Sequence, residues 1–230
     1  MMETTQKPTV GGVEQVARDR GLFVSSHVPH VPTGTVLLTP AVDSWRQYAE
    51  DAAMGRVFRD RGLATLSIRL LSPEEEADEN RRRYLRFEAE LLAERLEAMV
   101  NWLRAVPGMT ELKLGLMAST TDAAAAALTA ARRPDAIAAL VLCAAVLDEV
   151  EPSLPLVKAP TLLVAGERDL PILAMSEEAL DLFGGESDMA VIEQASHGFP
   201  ESGAMEEVSR IAGDWFLLHL VQPALVPIEW

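Results

Sequence analysis

The chain has 230 residues, 49% of them apolar and 24% charged, with 35 acidic against 20 basic residues and a net charge of −15. This composition is that of an ordinary globular protein rather than a disordered or fibrous one, and the length suits one undivided domain over residues 1–230. The excess negative charge repels nucleic acid phosphates and anionic lipids, so we expect neither as a partner.

Seven short runs rich in Val, Ile and Leu alternate with stretches of helical periodicity, a pattern typical of parallel strands joined by crossover helices. The predicted strands span residues 22–28, 35–39, 64–70, 112–117, 137–143, 160–165 and 189–193. The predicted helices span residues 46–61, 80–105, 120–132, 174–183 and 204–221. Several strands are apolar along most of their length, which indicates a three-layer α/β fold: a mostly parallel sheet with helices on both faces.

The segment before the second predicted helix carries a helix-start signal. Ser72 can cap a helix, Pro73 is preset for its first turn, and Glu75 can reach back to the cap. The charged residues 74–83 leave no apolar stripe before Leu85, so we expect solvated first turns there.

Targeting and membrane signals are missing from the sequence. Cys143 is the only cysteine, which excludes an internal disulfide framework. Residues 1–15 lack the apolar stretch of a secretory signal, and no apolar run approaches the roughly 18 residues of a membrane-spanning helix. We therefore expect a cytoplasmic protein outside the membrane.

Three chemically complementary residues follow three different strands. Ser119, Asp169 and His197 stand in the chain order of a serine-hydrolase triad. Carboxyl ends of parallel strands share one edge of the sheet, where loops and helix amino termini converge. A serine hydroxyl needs an imidazole to remove its proton, and the imidazole needs a carboxylate to hold its tautomer and stabilise its charge. The pattern therefore predicts nucleophilic chemistry at that edge.

Five segments carry a resemblance to a known family: residues 35–38, 62–66, 116–120, 158–169 and 195–197. Over residues of about 14–220 the chain resembles the dienelactone-hydrolase-like branch of the α/β-hydrolase family. The resemblance implies that Ser119 is the nucleophile, His197 the general base and then acid, and Asp169 the orienting carboxylate. Since dienelactone hydrolases carry a cysteine nucleophile, the serine favours cofactor-free hydrolysis of a small ester, lactone or thioester through an acyl-serine intermediate.

Stabilisation of the oxyanion requires backbone N–H groups near the nucleophile. The N–H of Thr120, at the start of an alanine-rich helix, is one expected donor. The second donor should follow strand 35–39, where Pro40 has no N–H, so Ala41 or Val42 is expected to supply it.

The turn around Ser119 departs from the family pattern. In that pattern, G-x-S-x-G, glycines stand two residues before and two after the serine, where this chain has Met117 and Thr121. Both side chains would crowd a tight turn. Met117 is also a candidate for lining the substrate pocket.

Arg69 has two interpretations. It ends strand 64–70, so it is a candidate for binding a substrate carboxylate or phosphate bidentately. The alternative is an ion pair with the acidic residues 74–76.

Other functions remain open at this stage. A changed turn and oxyanion loop would also suit a noncatalytic binding or regulatory protein, and His197 could move protons in a lyase or cyclase reaction without acylation of Ser119. No metal site is predicted, because His27 and His30 have no carboxylate or cysteine nearby. The apolar tail 221–230 makes a homodimer a hypothesis.

Overall fold

The apolar runs of the sequence form the strands of one sheet. The computed structural model describes residues 23–39, 45–106 and 108–221. The strands are β1 (Phe23–His27), β2 (Gly34–Thr39), β3 (Leu63–Ile68), β4 (Leu114–Ser119), β5 (Ile137–Cys143), β6 (Thr161–Gly166) and β7 (Ser187–Ile192). All seven predicted strands are confirmed, although β4 continues two residues beyond its predicted end, to Ser119.

The sheet order is β1-β3-β2-β4-β5-β6-β7. Strand β1 runs antiparallel to β3, and every other neighbouring pair is parallel. The predicted mostly parallel sheet is therefore confirmed, and the carboxyl ends of β2 through β7 lie along one edge. Loops that follow β4, β6 and β7 consequently meet at that edge.

The helices follow the strands in alternation. They are α1 (Trp45–Asp60), α2 (Pro73–Ala77), α3 (Glu79–Leu85), α4 (Ala89–Ala105), α5 (Asp122–Arg132), α6 (Leu170–Leu180) and α7 (Ala204–Leu220). A 3-10 helix, Asp148–Leu156, was not predicted, because Pro152 and Pro155 break the helical pattern of its sequence.

The single helix predicted over residues 80–105 is wrong. The chain forms α3 and α4 there instead, and Asp78 separates α3 from the preceding α2 by accepting the N–H groups of Asn80 and Arg81. Glu88, with φ −88° and ψ 67°, then leaves the helical conformation before α4. The predicted capping box at Ser72 is confirmed, but the helix that it starts is only five residues long.

Two helical layers cover the sheet. Helices α4 and α5 pack on one face, with Leu92, Leu96 and Ala126 fully buried. Helices α1 and α7 pack on the other, where Phe58 and Phe216 meet edge to face with ring centroids 5.8 Å apart. The predicted three-layer architecture is therefore confirmed. Within the described residues, no helix is both long enough and apolar enough to cross a membrane.

Candidate active site

A histidine and a carboxylate are paired at the carboxyl edge of the sheet. His197 Nδ1 lies 2.7 Å from Asp169 Oδ2. Asp169 is the N-cap of α6 and its side chain is only 9% exposed, whereas that of His197 is 55% exposed. Because a carboxylate accepts hydrogen bonds, Nδ1 carries the proton of the neutral ring, which leaves the Nε2 lone pair to accept a proton. The two sequence candidates are thus brought together as an oriented base.

Backbone contacts fix the two loops that carry this pair. The N–H of Arg168, beside Asp169, donates to the carbonyl oxygen of Ala195 at 2.9 Å. Gly166, at the end of β6, lies so close that a Cβ on it would be 2.5 Å from the same oxygen. Only a glycine therefore allows this approach. Sequence reasoning missed this role, although the glycine at a strand end was a signal for close backbone contact.

The histidine loop is also held from its far side. Glu201 accepts the Ser196 N–H at 3.0 Å and the Ser196 hydroxyl at 2.7 Å. Both hydrogen bonds lower the pKa of the Glu201 carboxyl, and the one from the Ser196 hydroxyl has the larger effect. Gly198 and Phe199 have φ values of 75° and 55°, which turn the chain sharply after His197. Nothing in the sequence spacing indicated the role of Glu201.

The third sequence candidate lies on the turn between β4 and α5. Ser119 is the last residue of β4 and is paired with Cys143 of β5. Thr120 has φ 53°, and α5 begins directly after Thr121. Within the described residues, no hydrogen bond joins His197 to Ser119 or to Thr120. The turn therefore stands at the same edge as the Asp169–His197 pair without a hydrogen bond to it.

The expected oxyanion donor Thr120 is wrong. Its N–H donates to the Cys143 carbonyl oxygen at 2.9 Å, so it is not free to bind a substrate oxygen. The predicted second donors, Ala41 and Val42, and the Pro40 departure lie outside the described residues. The tail beyond Val221, on which the homodimer hypothesis rests, also lies outside them.

The two expected substrate contacts both have partners within the fold. Met117 is 4% exposed and packs in the core beneath α1 and α7, so its expected pocket position is wrong. Its side chain points into the core because Met117 lies inside β4 rather than on the turn. Arg69 Nη1 lies 3.3 Å from Glu76 Oε2, which is the ion pair that the sequence offered as the alternative.

His27, considered as a metal ligand, and the single cysteine pack within the fold. Within the described residues, no group of three or more His, Cys, Asp or Glu side chains could hold a metal ion. The His27 ring packs against Gly55 of α1. Cys143 is buried, and burial raises the pKa of its thiol to about 12, so the thiol stays protonated and unreactive.

Asp122, the first residue of α5, is an unusual carboxyl next to this turn. Burial raises the pKa of the Asp122 carboxyl to about 7, the Arg86 charge lowers it, and the Glu76 charge adds to the rise. A carboxyl at a helix amino terminus is usually favoured as the anion. Here desolvation outweighs that effect, so the side chain titrates near neutrality. From the sequence, Asp122 was predicted only to lie in the first turn of the helix over residues 120–132.

The substitution Asp122→Asn should change how stability depends on pH. The folded-state pKa of about 7 exceeds the ordinary 3.8, so the folded chain holds this proton more tightly, and stability falls as pH rises from about 4 to about 7. Asparagine cannot lose a proton. The difference in free energy of unfolding between variant and parent should therefore shift in favour of the variant by about 2–3 kcal/mol when the pH is raised from about 5 to about 8.

Urea unfolding at the two pH values measures this difference. The exposed Asp181→Asn variant should follow the parent protein at both pH values. An Asp122→Asn curve that also follows the parent would contradict a carboxyl whose pKa is raised to about 7.

Comparisons with known proteins agree with this fold. No protein-family model matches the chain. A dienelactone hydrolase from Anabaena variabilis ATCC 29413 is 39% identical, with a TM-score of 0.79 over 85% of this chain and 90% of that one. Est1E from Butyrivibrio proteoclasticus shares the fold at 12% identity, with a TM-score of 0.68 over 84% of this chain and 92% of that one.

Curated relatives occur in two strains of Mycobacterium tuberculosis, CDC 1551 / Oshkosh and H37Rv. They are 36% identical over 196 residues, which is 85% of this chain, and are named as candidate phosphoribosyl transferases. The chain spans only 43% of their length. The similarity to the Anabaena enzyme, by contrast, covers nearly the whole of both proteins. The chain belongs to the dienelactone-hydrolase-like branch of the α/β-hydrolase family.

Proposed function

We propose that this protein hydrolyses a small ester, lactone or thioester through a covalent acyl-enzyme intermediate. The observation that carries the proposal is the 2.7 Å contact between His197 Nδ1 and Asp169 Oδ2, at the edge where a hydroxyl-bearing turn follows β4. The solved structures that share the fold include esterases and a dienelactone hydrolase, which supports an enzyme of hydrolase kind.

The proposed chemistry uses the pair as a proton carrier. His197 Nε2 removes a proton from a hydroxyl of the turn while the hydroxyl oxygen bonds to the substrate carbonyl carbon. Asp169 stabilises the imidazolium that forms. The imidazolium then gives its proton to the leaving alcohol or thiol, and a water molecule later releases the acid by the same route. No step requires a cofactor.

The attacking hydroxyl comes from the turn between β4 and α5. The sequence assigns this role to Ser119, and the adjacent Thr120 carries a second hydroxyl. A free N–H at the start of α5 would stabilise the developing oxyanion there.

The names of the mycobacterial relatives suggest phosphoribosyl transfer, but we do not extend that activity to this chain. Those proteins are more than twice the length that the chain covers, since it spans 43% of each. The oriented His197 base suits acyl transfer, which begins with removal of a hydroxyl proton.

A pre-steady-state experiment with p-nitrophenyl acetate tests the proposal. An acyl-enzyme mechanism should release a burst of about one equivalent of p-nitrophenol before slower turnover. A fluorophosphonate probe should abolish the burst by modifying the turn. The control variant Ser187→Ala should keep the full burst and should still lose it on treatment with the probe. The Ser187 hydroxyl donates to the Leu180 carbonyl oxygen at the opposite edge of the sheet, away from the turn. A protein with neither burst nor turnover would contradict the proposal and favour a binding role.

A further inference from the structure

The residue at the apex of the turn after β4 is Thr120 and not Ser119. Its φ of 53° lies in the left-handed region, which a β-branched residue rarely adopts. A nucleophile in this fold sits on a sharp, strained turn from strand to helix that raises its hydroxyl above the sheet. We propose that Thr120 is the residue that becomes acylated; this assignment rests on the hydrolase function proposed above.

Backbone hydrogen bonds on both sides of Thr120 impose this conformation. Its N–H donates to the Cys143 carbonyl oxygen at 2.9 Å, and its own carbonyl oxygen accepts the Val146 N–H at 3.2 Å. Ala144 repeats the geometry one strand along, with φ 46° and its N–H bonded to Val164. Ala144 is fully buried and carries no reactive group, whereas the Thr120 side chain is partly exposed. Of these two turns, therefore, only the one after β4 has a hydroxyl-bearing residue at its left-handed position.

The position of the free N–H groups favours the same assignment. The oxyanion donor in this fold is the N–H of the residue after the nucleophile. For Ser119 that donor would be the Thr120 N–H, which is already bonded to Cys143. For Thr120 it is the Thr121 N–H, which stands at the start of α5 and has no hydrogen-bond partner among the described residues. The assignment of Thr120 as the nucleophile thus leaves the required oxyanion donor available.

Packing before the turn also favours Thr120 as the nucleophile. A small residue is needed two positions before the nucleophile, where the strand bends into the turn. With Thr120 as the nucleophile that residue is Ala118, which is 1% exposed. With Ser119 it would be Met117, whose side chain fills the core under α1 and α7. The departure from the glycine pattern is thereby reduced to Asp122, two residues after Thr120.

The covalent step is balanced with groups already present. Thr120 Oγ1 bonds to the carbonyl carbon as His197 Nε2 takes its proton, the bond to the leaving group breaks, and the leaving group takes that proton. Water, deprotonated by the same imidazole, then bonds to the ester carbonyl carbon, and Thr120 Oγ1 leaves and takes that proton back from the imidazolium. A secondary hydroxyl next to a methyl group is more hindered than a primary one. We therefore expect acylation to be slower than it would be with serine at position 120.

Fluorophosphonate labelling of the full chain, with fragmentation of the labelled peptide, tests the assignment. The oxygen attacks phosphorus and displaces fluoride, which leaves the probe on the attacking residue. The label is expected on Thr120 in the parent and in Ser119→Ala. Thr120→Val, which keeps the shape but lacks the hydroxyl, should lose the label. Thr120→Ser should be labelled about tenfold faster than the parent.

The outcomes separate the two proposals. Label on Ser119, or label that survives Thr120→Val, would overturn the assignment and leave the hydrolase function standing. A Thr120→Ser variant labelled no faster than the parent would also overturn it, and poor folding cannot produce the expected rate increase. Absence of label from every variant, together with absence of ester turnover, would overturn the hydrolase function itself.

Discussion

Replacement of His197 by alanine should lower kcat/KM for ester hydrolysis by about 10³- to 10⁴-fold. The reason is that His197 is the base paired with Asp169 at 2.7 Å, so its removal leaves the hydroxyl of the turn protonated. The variant should fold normally, because the side chain is 55% exposed and fills no core space. Kinetics with p-nitrophenyl acetate, accompanied by far-ultraviolet circular dichroism, measure both effects.

The substitution Asp169→Asn tests the orienting role separately. An amide at this position can present its N–H₂ to the ring, which favours the wrong imidazole tautomer, and we expect a loss of up to about 10⁴-fold in kcat. The exposed His30→Ala variant is the matched control and should keep the parent kinetics. Full activity in His197→Ala would contradict the acyl-enzyme mechanism. Activity lost equally in the His30 variant would point to a general effect of histidine replacement.

The fold could be predicted because each strand is encoded locally. The run 137–143 is apolar throughout and the run 160–165 has only Thr161 as a polar residue, and such runs have few alternatives to a buried parallel strand. The Asp169–His197 pair was also predictable, since Asp169 comes shortly after the predicted strand 160–165 and His197 shortly after the predicted strand 189–193. Their meeting at one edge follows from the parallel topology alone.

The nucleophile turn could not be predicted with the same certainty, because its conformation is set by a neighbouring strand. β4 extends to Ser119, two residues past its predicted end, because its pairing with β5 continues as far as Ser119 and Cys143. The apex of the turn therefore moves to Thr120. A shift of this size is ordinary for a strand boundary, but it changes which side chain is raised above the sheet and which N–H is free.

The titration of Asp122 was hidden for a related reason. Its raised pKa comes mainly from burial, against which the Arg86 charge lowers it and to which the Glu76 charge adds; both charges lie on the segments before α4. The sequence does show that these residues are charged, yet it does not show that they lie near the start of α5. Interactions between distant segments depend on packing, which local patterns do not encode.

Replacement of Gly166 by alanine should disrupt catalysis without touching a reacting group. The added Cβ would lie 2.5 Å from the Ala195 carbonyl oxygen and 3.0 Å from that of Ser196, so the histidine loop must move. A displacement of about 1 Å in a catalytic group is enough to lower the rate about 10²-fold. We also expect a loss of about 1–3 kcal/mol in the free energy of unfolding, as is usual for an overpacked site.

The chain offers a matched control for this clash. In Gly185→Ala the new Cβ would also lie 2.5 Å from a backbone carbonyl oxygen, that of Lys158, but at the amino-terminal edge of the sheet. Both variants should unfold at lower urea concentration, whereas only Gly166→Ala should lower kcat/KM per folded molecule. Equal kinetic losses in the two would mean that stability limits activity. An active Gly166→Ala variant would show that the Asp169–His197 contact does not depend on the close approach of β6 to the histidine loop.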